Sequence, residues 1–420
     1  MGSNSPALAL RTKLALVQVS RAWRKAALQT LYQHITVRSP SRARLLFAVL
    51  EGKAQERSGG YGQWTRHIDI HTYMRGSDDI RYLQTVFNIL RFCPNLRTLS
   101  GTWIHPLPQE FLNAITALYG PSLSGLYWNE RGPHAERRST NVTPEFLGGF
   151  QNLRVLDLRH FVGADPSERT ISTRPLLPNV QELVLSTLPR SLATAAILKL
   201  PALQKLTLRT PSFDRQSEIH LLKFLEVHGP SLTLVDLPSP SLDCDNDYGI
   251  TPSQNKATHV NPDVFLHPDR CPNLESIVFP VTSPQLSRHE HNNLRRIGLR
   301  GVRLDGLYPD KQSASKDHLT AIKSTGYPNL ELIQTVGFFV DVETDALAKD
   351  VFIWWVEKFE KQGIDFLDGE GVLWAYTEPV DPPPPEDAPK DGQLTKLDQM
   401  LKSDAVASAP IQEDIKEVVT

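Results

Sequence analysis

Two short clusters in the sequence combine residue types that bind metal ions. Asp243, Asp245 and Asp247 alternate ahead of a glycine, as at the start of a calcium-binding loop. Such a loop needs glycine at its sixth position and a bidentate glutamate at its twelfth, whereas Tyr248 and Gln254 stand there. The segment therefore predicts a solvated acidic loop rather than a metal site.

The second cluster is His289, Glu290 and His291. A zinc protease needs two histidines four residues apart on one helix face, and these two would point to nearly opposite sides of a helix. A polar turn is the simpler interpretation. No phosphate-binding loop, dinucleotide fingerprint or nucleophile elbow occurs in the chain. We therefore predict that the protein is not an enzyme and needs no cofactor and no metal.

The composition argues against several classes of protein. The chain has 420 residues and a formal net charge of -2, which gives no support to nucleic-acid binding or to binding of an anionic membrane. It contains no run of about 18 apolar residues, so no membrane span is predicted. Three cysteines, Cys93, Cys244 and Cys271, are too few for a disulfide framework. We expect a reducing compartment, the cytoplasm or the nucleus.

A short sequence motif, called the phrase below, occurs nine times along the chain. It determines the strands and helices that position the remaining polar residues. Its clearest copies are CPNLRTL from Cys93 and CPNLESIVF from Cys271. The leading apolar residues, called anchors below, are 20 to 42 residues apart, mostly near the period of about 20 to 29 residues of leucine-rich repeats. The anchors are Leu96, Leu123, Leu153, Val180, Leu203, Leu232, Leu274, Leu294 and Leu330.

The alternation within the phrase predicts its structure. In an extended chain the residues three and five positions after each anchor, such as Leu206 and Leu208, point to one side. One repeat buries too little apolar surface to offset its ordering entropy, so the copies must stack and share a core. We predict an α/β leucine-rich-repeat solenoid with a parallel sheet on the concave face, helical caps at both ends, and one earlier strand at Ile68 and Ile70.

Residues two, four and six positions after each anchor would line the other face of the sheet. They combine both charges with an aromatic side chain, which is more typical of a site for a protein partner than for nucleic acid. The alternative is that they are ordinary solvated strand residues. The candidates are Tyr127, Asn129, Asp157, Arg159, Lys205, Arg209, Asp236, Arg296 and Arg300.

The N-terminal segment predicts two amphipathic helices and carries a resemblance to a known family. Val19-Ser20-Arg21-Ala22-Trp23, followed by Leu28 to Tyr32, resembles the second half of an F-box. With the repeats behind it, the chain is similar to fungal F-box and leucine-rich-repeat proteins. The resemblance implies that Leu16, Val19, Trp23 and Leu28 bind the adaptor of a cullin-RING ubiquitin ligase while the repeats bind an unknown protein substrate.

The sequence leaves two alternatives open at this point. The sequence motif of that family's first helix, Leu-Pro-x-Glu-Ile-Leu, has no counterpart in this sequence. The protein is then either a substrate-recognition subunit or a repeat scaffold that no longer binds the adaptor. In the same way, Leu16, Val19 and Trp23 either face the first repeat and cap it or face outward and form a docking patch.

The predicted organisation has five segments. They are partial F-box-like helices at 1–38, a connecting helix and loop at 39–60, the degenerate leucine-rich-repeat solenoid at 61–340, a C-terminal helical cap at 341–380, and a Pro-rich linker with a disordered tail at 381–420.

Overall fold

The computed structural model describes residues 6–54, 60–71, 79–130, 142–161, 175–209, 215–237, 260–287, 290–340 and 346–375. The chain divides into two units, Met1–Trp374 and Ala375–Thr420, and the description below concerns the first. The acidic cluster from Asp243 to Asp247, Cys244, His289 and the predicted tail at 381–420 lie outside the described residues.

The described strands form one sheet in which every neighbouring pair is parallel and the strand order follows the chain. This arrangement is an α/β, solenoid-like repeat fold. The twelve described strands are β1 (His34–Val37), β2 (His67–His71), β3 (Thr98–Trp103), β4 (Gly125–Glu130), β5 (Val155–His160), β6 (Glu182–Ser186), β7 (Lys205–Arg209), β8 (Leu234–Asp236), β9 (Ser276–Pro280), β10 (Arg296–Arg300), β11 (Leu332–Val336) and β12 (Asp365–Leu367).

Helices precede the sheet and connect many of its strands, because successive parallel strands require a crossover. The α-helices in the described residues are α1 (Pro6–Val19), α2 (Arg21–Gln33), α3 (Pro40–Ala54), α4 (Asp79–Arg91), α5 (Gln109–Tyr119), α6 (Pro144–Gly148), α7 (Pro189–Ile197), α8 (Arg215–His228), α9 (Asp263–Leu266), α10 (Ala314–Ala321) and α11 (Ala346–Glu360). None of the described helices is both long and apolar enough to cross a membrane.

Each copy of the repeated phrase supplies one strand, and equivalent residues pair. Leu156 of β5 pairs with Leu183 of β6, which pairs with Leu206 of β7. All nine anchors are buried, and the strand leucines join helix residues in one hydrophobic cluster. The prediction that stacked phrases share a core is confirmed, and so is the early strand at Ile68 and Ile70.

The sheet extends by one strand at each end beyond those predicted from the sequence. In β1, Ile35 and Val37 are buried and pair with β2, while β12 adds the buried Phe366 beside β11. Neither strand contains the phrase, and each is only three or four residues long. Beyond the last long strand, α11 buries Trp355, whose indole N–H donates to the Leu307 carbonyl at 2.7 Å.

An asparagine immediately before the anchor recurs in six copies of the phrase, and each side chain bonds to the repeat before it. The side-chain N–H donates to a backbone carbonyl, which in five cases belongs to the residue two positions before the preceding anchor. The pairs are Asn95 with Gln63 (2.9 Å), Asn152 with Pro121 (2.6 Å), Asn179 with Gln151 (2.9 Å), Asn273 with Pro230 (2.8 Å), Asn293 with Pro272 (2.7 Å) and Asn329 with Asn292 (2.6 Å).

We expect Leu206→Asp to lower the free energy of unfolding by several kcal/mol, because it places an unpaired charge in the core shared by three strands. Urea denaturation monitored by circular dichroism measures the effect. The control is Lys205→Ala on the other face of the same strand, where the loss of a surface ion pair costs about 0–1 kcal/mol. Equal effects of the two substitutions would contradict the shared core.

We expect Asn273→Ala to lower the free energy of unfolding by about 1 kcal/mol, because one inter-repeat hydrogen bond is lost. Asn113→Ala is the matched control, since the side chain of Asn113 accepts a bond within its own helix, from the Gln109 side chain. Denaturation midpoints of the two variants compare the two kinds of bond. The inter-repeat role is wrong if Asn273→Ala is no more destabilising than the control.

Candidate protein-binding surfaces

The nine predicted strand residues lie on the face of the sheet opposite the buried leucines, called the outer face below. Alternation along each strand places them there, because their neighbours in sequence point into the core. Tyr127 and Asn129 are on β4, Asp157 and Arg159 on β5, Lys205 and Arg209 on β7, Asp236 on β8, and Arg296 and Arg300 on β10.

Two ion pairs between these residues fix carboxylates on the outer face. Arg159 holds Asp157 of its own strand, with Nε 2.9 Å from Oδ2 and 3.1 Å from Oδ1. Arg300 reaches across β9, and its Nη2 lies 3.0 Å from Oδ1 of Asp236 on β8. Asp157 is only 1% exposed, so its carboxylate would be costly to bury without the guanidinium beside it.

Arg209 lies between the two ion pairs. Burial lowers the pKa of its guanidinium, and the charges of Asp236, Arg159, Arg300 and Asp157 act on it as well, the two carboxylates raising the pKa and the two arginines lowering it. The structure therefore brings five of the nine predicted residues into one cluster, called the arginine cluster below.

A second group lies beside it, toward the start of the strands. Lys205 Nζ is 2.6 Å from Oε1 of Glu182 on β6. Burial raises the pKa of the Tyr127 phenol, and Asp157 and Glu182 raise it further. Tyr127 and Lys205 thus adjoin the arginine cluster.

The remaining two predicted residues are not joined to the others. Arg296, at the start of β10, is exposed and forms no ion pair with the other eight. The Oδ1 atom of Asn129, near the end of β4, is buried without a hydrogen bond. No contact in the described residues supports a shared site for these two.

Several outer-face residues were missed by the sequence-based prediction. Glu182, Val184 and Ser186 occupy the same three positions of β6, and Thr207 the middle position of β7. The rule of positions two, four and six would have found all four. Val184 is 6% and Thr207 3% exposed. This burial could not be predicted from the sequence, because alternation predicts which face of the sheet a residue lies on and not how much of it solvent can reach.

A line of stacked rings extends the outer face toward β1. His34 and His67 pair across β1 and β2, and their ring centroids are 4.2 Å apart. Tyr127 continues the line, 6.4 Å from His67. Burial lowers the pKa of both histidines; His34 lowers that of His67 further, while Asp69 opposes the shift in each. Both rings are therefore neutral near pH 7.

The N-terminal helices α1 and α2 contact each other, and two of the four predicted adaptor-binding residues on them are exposed. Ser20 caps α2 by accepting a bond from the Trp23 N–H at 3.2 Å. Val19 is 64% and Trp23 52% exposed, whereas Leu16 and Leu28 are half-buried. Of the two alternatives for this segment, the exposed residues fit the outward-facing patch rather than the cap.

Three of the residues considered for metal or thiol chemistry, His291, Cys93 and Cys271, are buried in the core. His291 is buried rather than part of a polar surface turn, and its Nε2 lies 3.0 Å from the Cys271 carbonyl. Burial raises the pKa of the Cys93 thiol to about 11 and that of Cys271 to about 12. Within the described ranges, no three His, Cys, Asp or Glu side chains are grouped so that they could hold a metal ion.

Comparison with protein-family models gives no match, and comparison with curated proteins gives none either. Solved structures similar to this chain include a protein from Bacteroides fragilis with 12% sequence identity and a TM-score of 0.32, covering 81% of this chain and 75% of that chain. A chain of the Rad7 and Elc1 complex from yeast has 12% identity and a TM-score of 0.24, covering 80% and 94%. Similarities this low decide neither fold nor function.

We expect the protein to lose stability as the pH falls from 7.5 to 5.5. Because folding lowers the pKa of His34 and His67, the unfolded chain binds more protons below about pH 6.5, and acid favours unfolding. His67→Gln removes part of this difference and should reduce the fall in Tm, as measured by calorimetry at both pH values. An unchanged fall in Tm would show that the stacked pair is not responsible.

Proposed function

We propose that this chain is a non-enzymatic protein-binding module of the leucine-rich-repeat type and the substrate-recognition subunit of a cullin-RING ubiquitin ligase. The observation that carries the proposal is the exposure of Trp23 and Val19 on the helices with the F-box-like motif. Large apolar side chains grouped on a surface are typical of sites that bind another protein.

The repeat type is supported by the strand pattern. Each phrase places one strand in a parallel sheet, with its anchor and the apolar residue three positions later in one core, as expected of leucine-rich repeats. The usual turn residue, Asn or Cys, is replaced by apolar side chains such as the buried Phe161 and Val302. Here the asparagines before the anchors make the bonds between repeats, which is consistent with a degenerate form of this repeat.

The N-terminal surface has the composition of a docking site for an acidic partner. Leu10 and Leu14 on α1 are also exposed, so both helices carry exposed large apolar side chains. The first 50 residues contain eight Lys or Arg and no Asp or Glu. A partner with an apolar groove and an acidic rim would complement this surface, and complementary charge also speeds association.

The outer face supports the second half of the proposal. Its charges are mixed and partly paired with each other, as in Asp157 with Arg159 and Asp236 with Arg300. Nucleic-acid sites instead need an excess of unpaired cations along the phosphate backbone. A folded or extended protein segment is therefore the better ligand for this face.

The alternative function is a repeat scaffold that binds partners without the ligase adaptor. The observation that favours it is the outer face, whose mixed and partly paired charges suit a protein partner without any contribution from α1 and α2. Both functions share the outer face as a binding site. They differ in what binds α1 and α2.

We expect the purified chain to bind the purified ligase adaptor with a dissociation constant in the micromolar range or tighter, and Trp23→Ala to weaken binding at least tenfold. Because Trp23 is half exposed, the substitution should leave Tm nearly unchanged. Trp354→Ala is the matched control, since Trp354 on α11 is 41% exposed. Isothermal titration calorimetry measures all three proteins.

Two outcomes would contradict the ligase function. If the adaptor does not bind, or binds equally to the Trp23→Ala variant, the scaffold becomes the better hypothesis. Vesicles containing anionic lipid serve as a second probe, because a basic helix pair with exposed leucines can also bind such surfaces. Trp23-dependent binding to vesicles but not to the adaptor would argue against a protein partner for these helices.

A further inference from the structure

We propose that the arginine cluster binds an acidic side chain of the partner protein through Arg209. The inference rests on the proposed protein-binding function and adds the chemistry of the group that is recognised. Its evidence is the position of three arginines, the pairing of only two of them, and the unpaired polar atoms beside them.

The three arginines occupy equivalent ends of their strands. Arg159, Arg209 and Arg300 lie at the last outer-face position of β5, β7 and β10. Arg159 is bonded to Asp157 and Arg300 to Asp236, with distances of 2.9 to 3.1 Å. Both carboxylates are thus already held by guanidinium groups of the chain itself.

Arg209 makes no hydrogen bond or ion pair with any residue that the structure describes. The charges of Asp236 and Asp157 act on its guanidinium through space and raise its pKa, whereas the charges of the two other arginines lower it. The three arginines and two aspartates together leave a formal charge of +1. One carboxylate balances this charge, whereas the doubly charged phosphate of a phosphorylated residue would exceed it.

Unpaired donors next to Arg209 favour an oxygen ligand. Ser186 pairs with Arg209 across β6 and β7, and its hydroxyl is fully buried without a hydrogen-bond partner. The Nε atom of Arg300 is likewise buried and unpaired. Leaving such groups without a hydrogen bond is unfavourable, so a ligand that accepts bonds from them gains affinity.

The outer-face residues beside the arginine cluster have little contact with solvent. Val184 and Thr207 lie on the outer face between the two ion pairs, and both are nearly completely buried. Low solvent access strengthens a bond between a guanidinium and a carboxylate relative to the same pair in water. Arginine also binds a carboxylate in a bidentate geometry.

The test is selection from a phage-displayed library of random peptides on three immobilised proteins: the full chain, its Arg209→Gln variant and its Arg97→Gln variant. Arg97 is a control arginine before β3 that donates to the Ser122 carbonyl. We expect peptides selected on the wild-type chain and on Arg97→Gln to share an Asp or Glu at one position. Selection on Arg209→Gln should lose that preference.

A synthetic version of the best peptide then measures the contact itself. Replacing its shared acidic residue with the corresponding amide should weaken binding to the wild-type chain about 10- to 100-fold and change binding to Arg209→Gln little, because the interaction is already lost. Replacing the acidic residue with lysine should restore binding to an Arg209→Glu variant. Equal Tm values would show that the variants fold.

The outcomes separate this inference from the proposed function. Selected peptides without a shared acidic residue, or with equal affinity for Arg209→Gln, overturn the role of Arg209 and leave a protein-binding face. A phosphoserine peptide that binds more than tenfold tighter than the acidic one overturns the assignment to a carboxylate. Failure to select any peptide overturns the inference as well, while adaptor binding at Trp23 still tests the ligase function independently.

Discussion

The structure depends on one constraint, which is that no strand of the sheet can bury its own leucines without its two neighbours. Leu206 is fully buried because Leu183 and Val235 pair on either side of it and helices close the layer above. A parallel pairing in equal register is the arrangement that keeps equivalent leucines in contact from repeat to repeat. The asparagines before the anchors reinforce the same register, because each bonds to the equivalent position of the repeat before it.

This constraint also explains why the outer face can carry function. The folding energy comes from the inner leucines, so the alternate residues of each strand are not needed for the core. Equal register then brings residues far apart in sequence into one row. Asp236 and Arg300 are 64 residues apart and still form an ion pair. A charge on the outer face acts with its neighbours across strands rather than along the chain.

Much of the fold could be predicted from the sequence, because each copy of the phrase indicates where a strand lies, which residues pair with the next strand, and which side chains face the core. Leu156, Leu183 and Leu206 occupy the same place in their phrases and pair as expected. β1 and β12 could not be predicted in this way, since each becomes a strand by pairing with a neighbour rather than by its own pattern. The asparagines were visible in six phrases, but their bonds depend on the distance between repeats, which no local pattern contains.

The candidate site was predictable as a face and not as a cluster. The positions of Arg159, Arg209 and Arg300 on this face follow from the alternation. Their ion-pair partners do not, because Arg300 pairs with a residue two strands away rather than with one on a neighbouring strand.

The same sheet also connects the two proposed binding surfaces. α2 contacts β1 and the short helix Tyr61–Trp64, so the exposed Trp23 is attached to the first strand of the sheet that carries the arginine cluster. The sheet is continuous from β1 to β7, and each strand in between is hydrogen-bonded to the next. The separation between helix α2 and the arginine cluster is therefore set by the pairing of successive strands rather than by a linker.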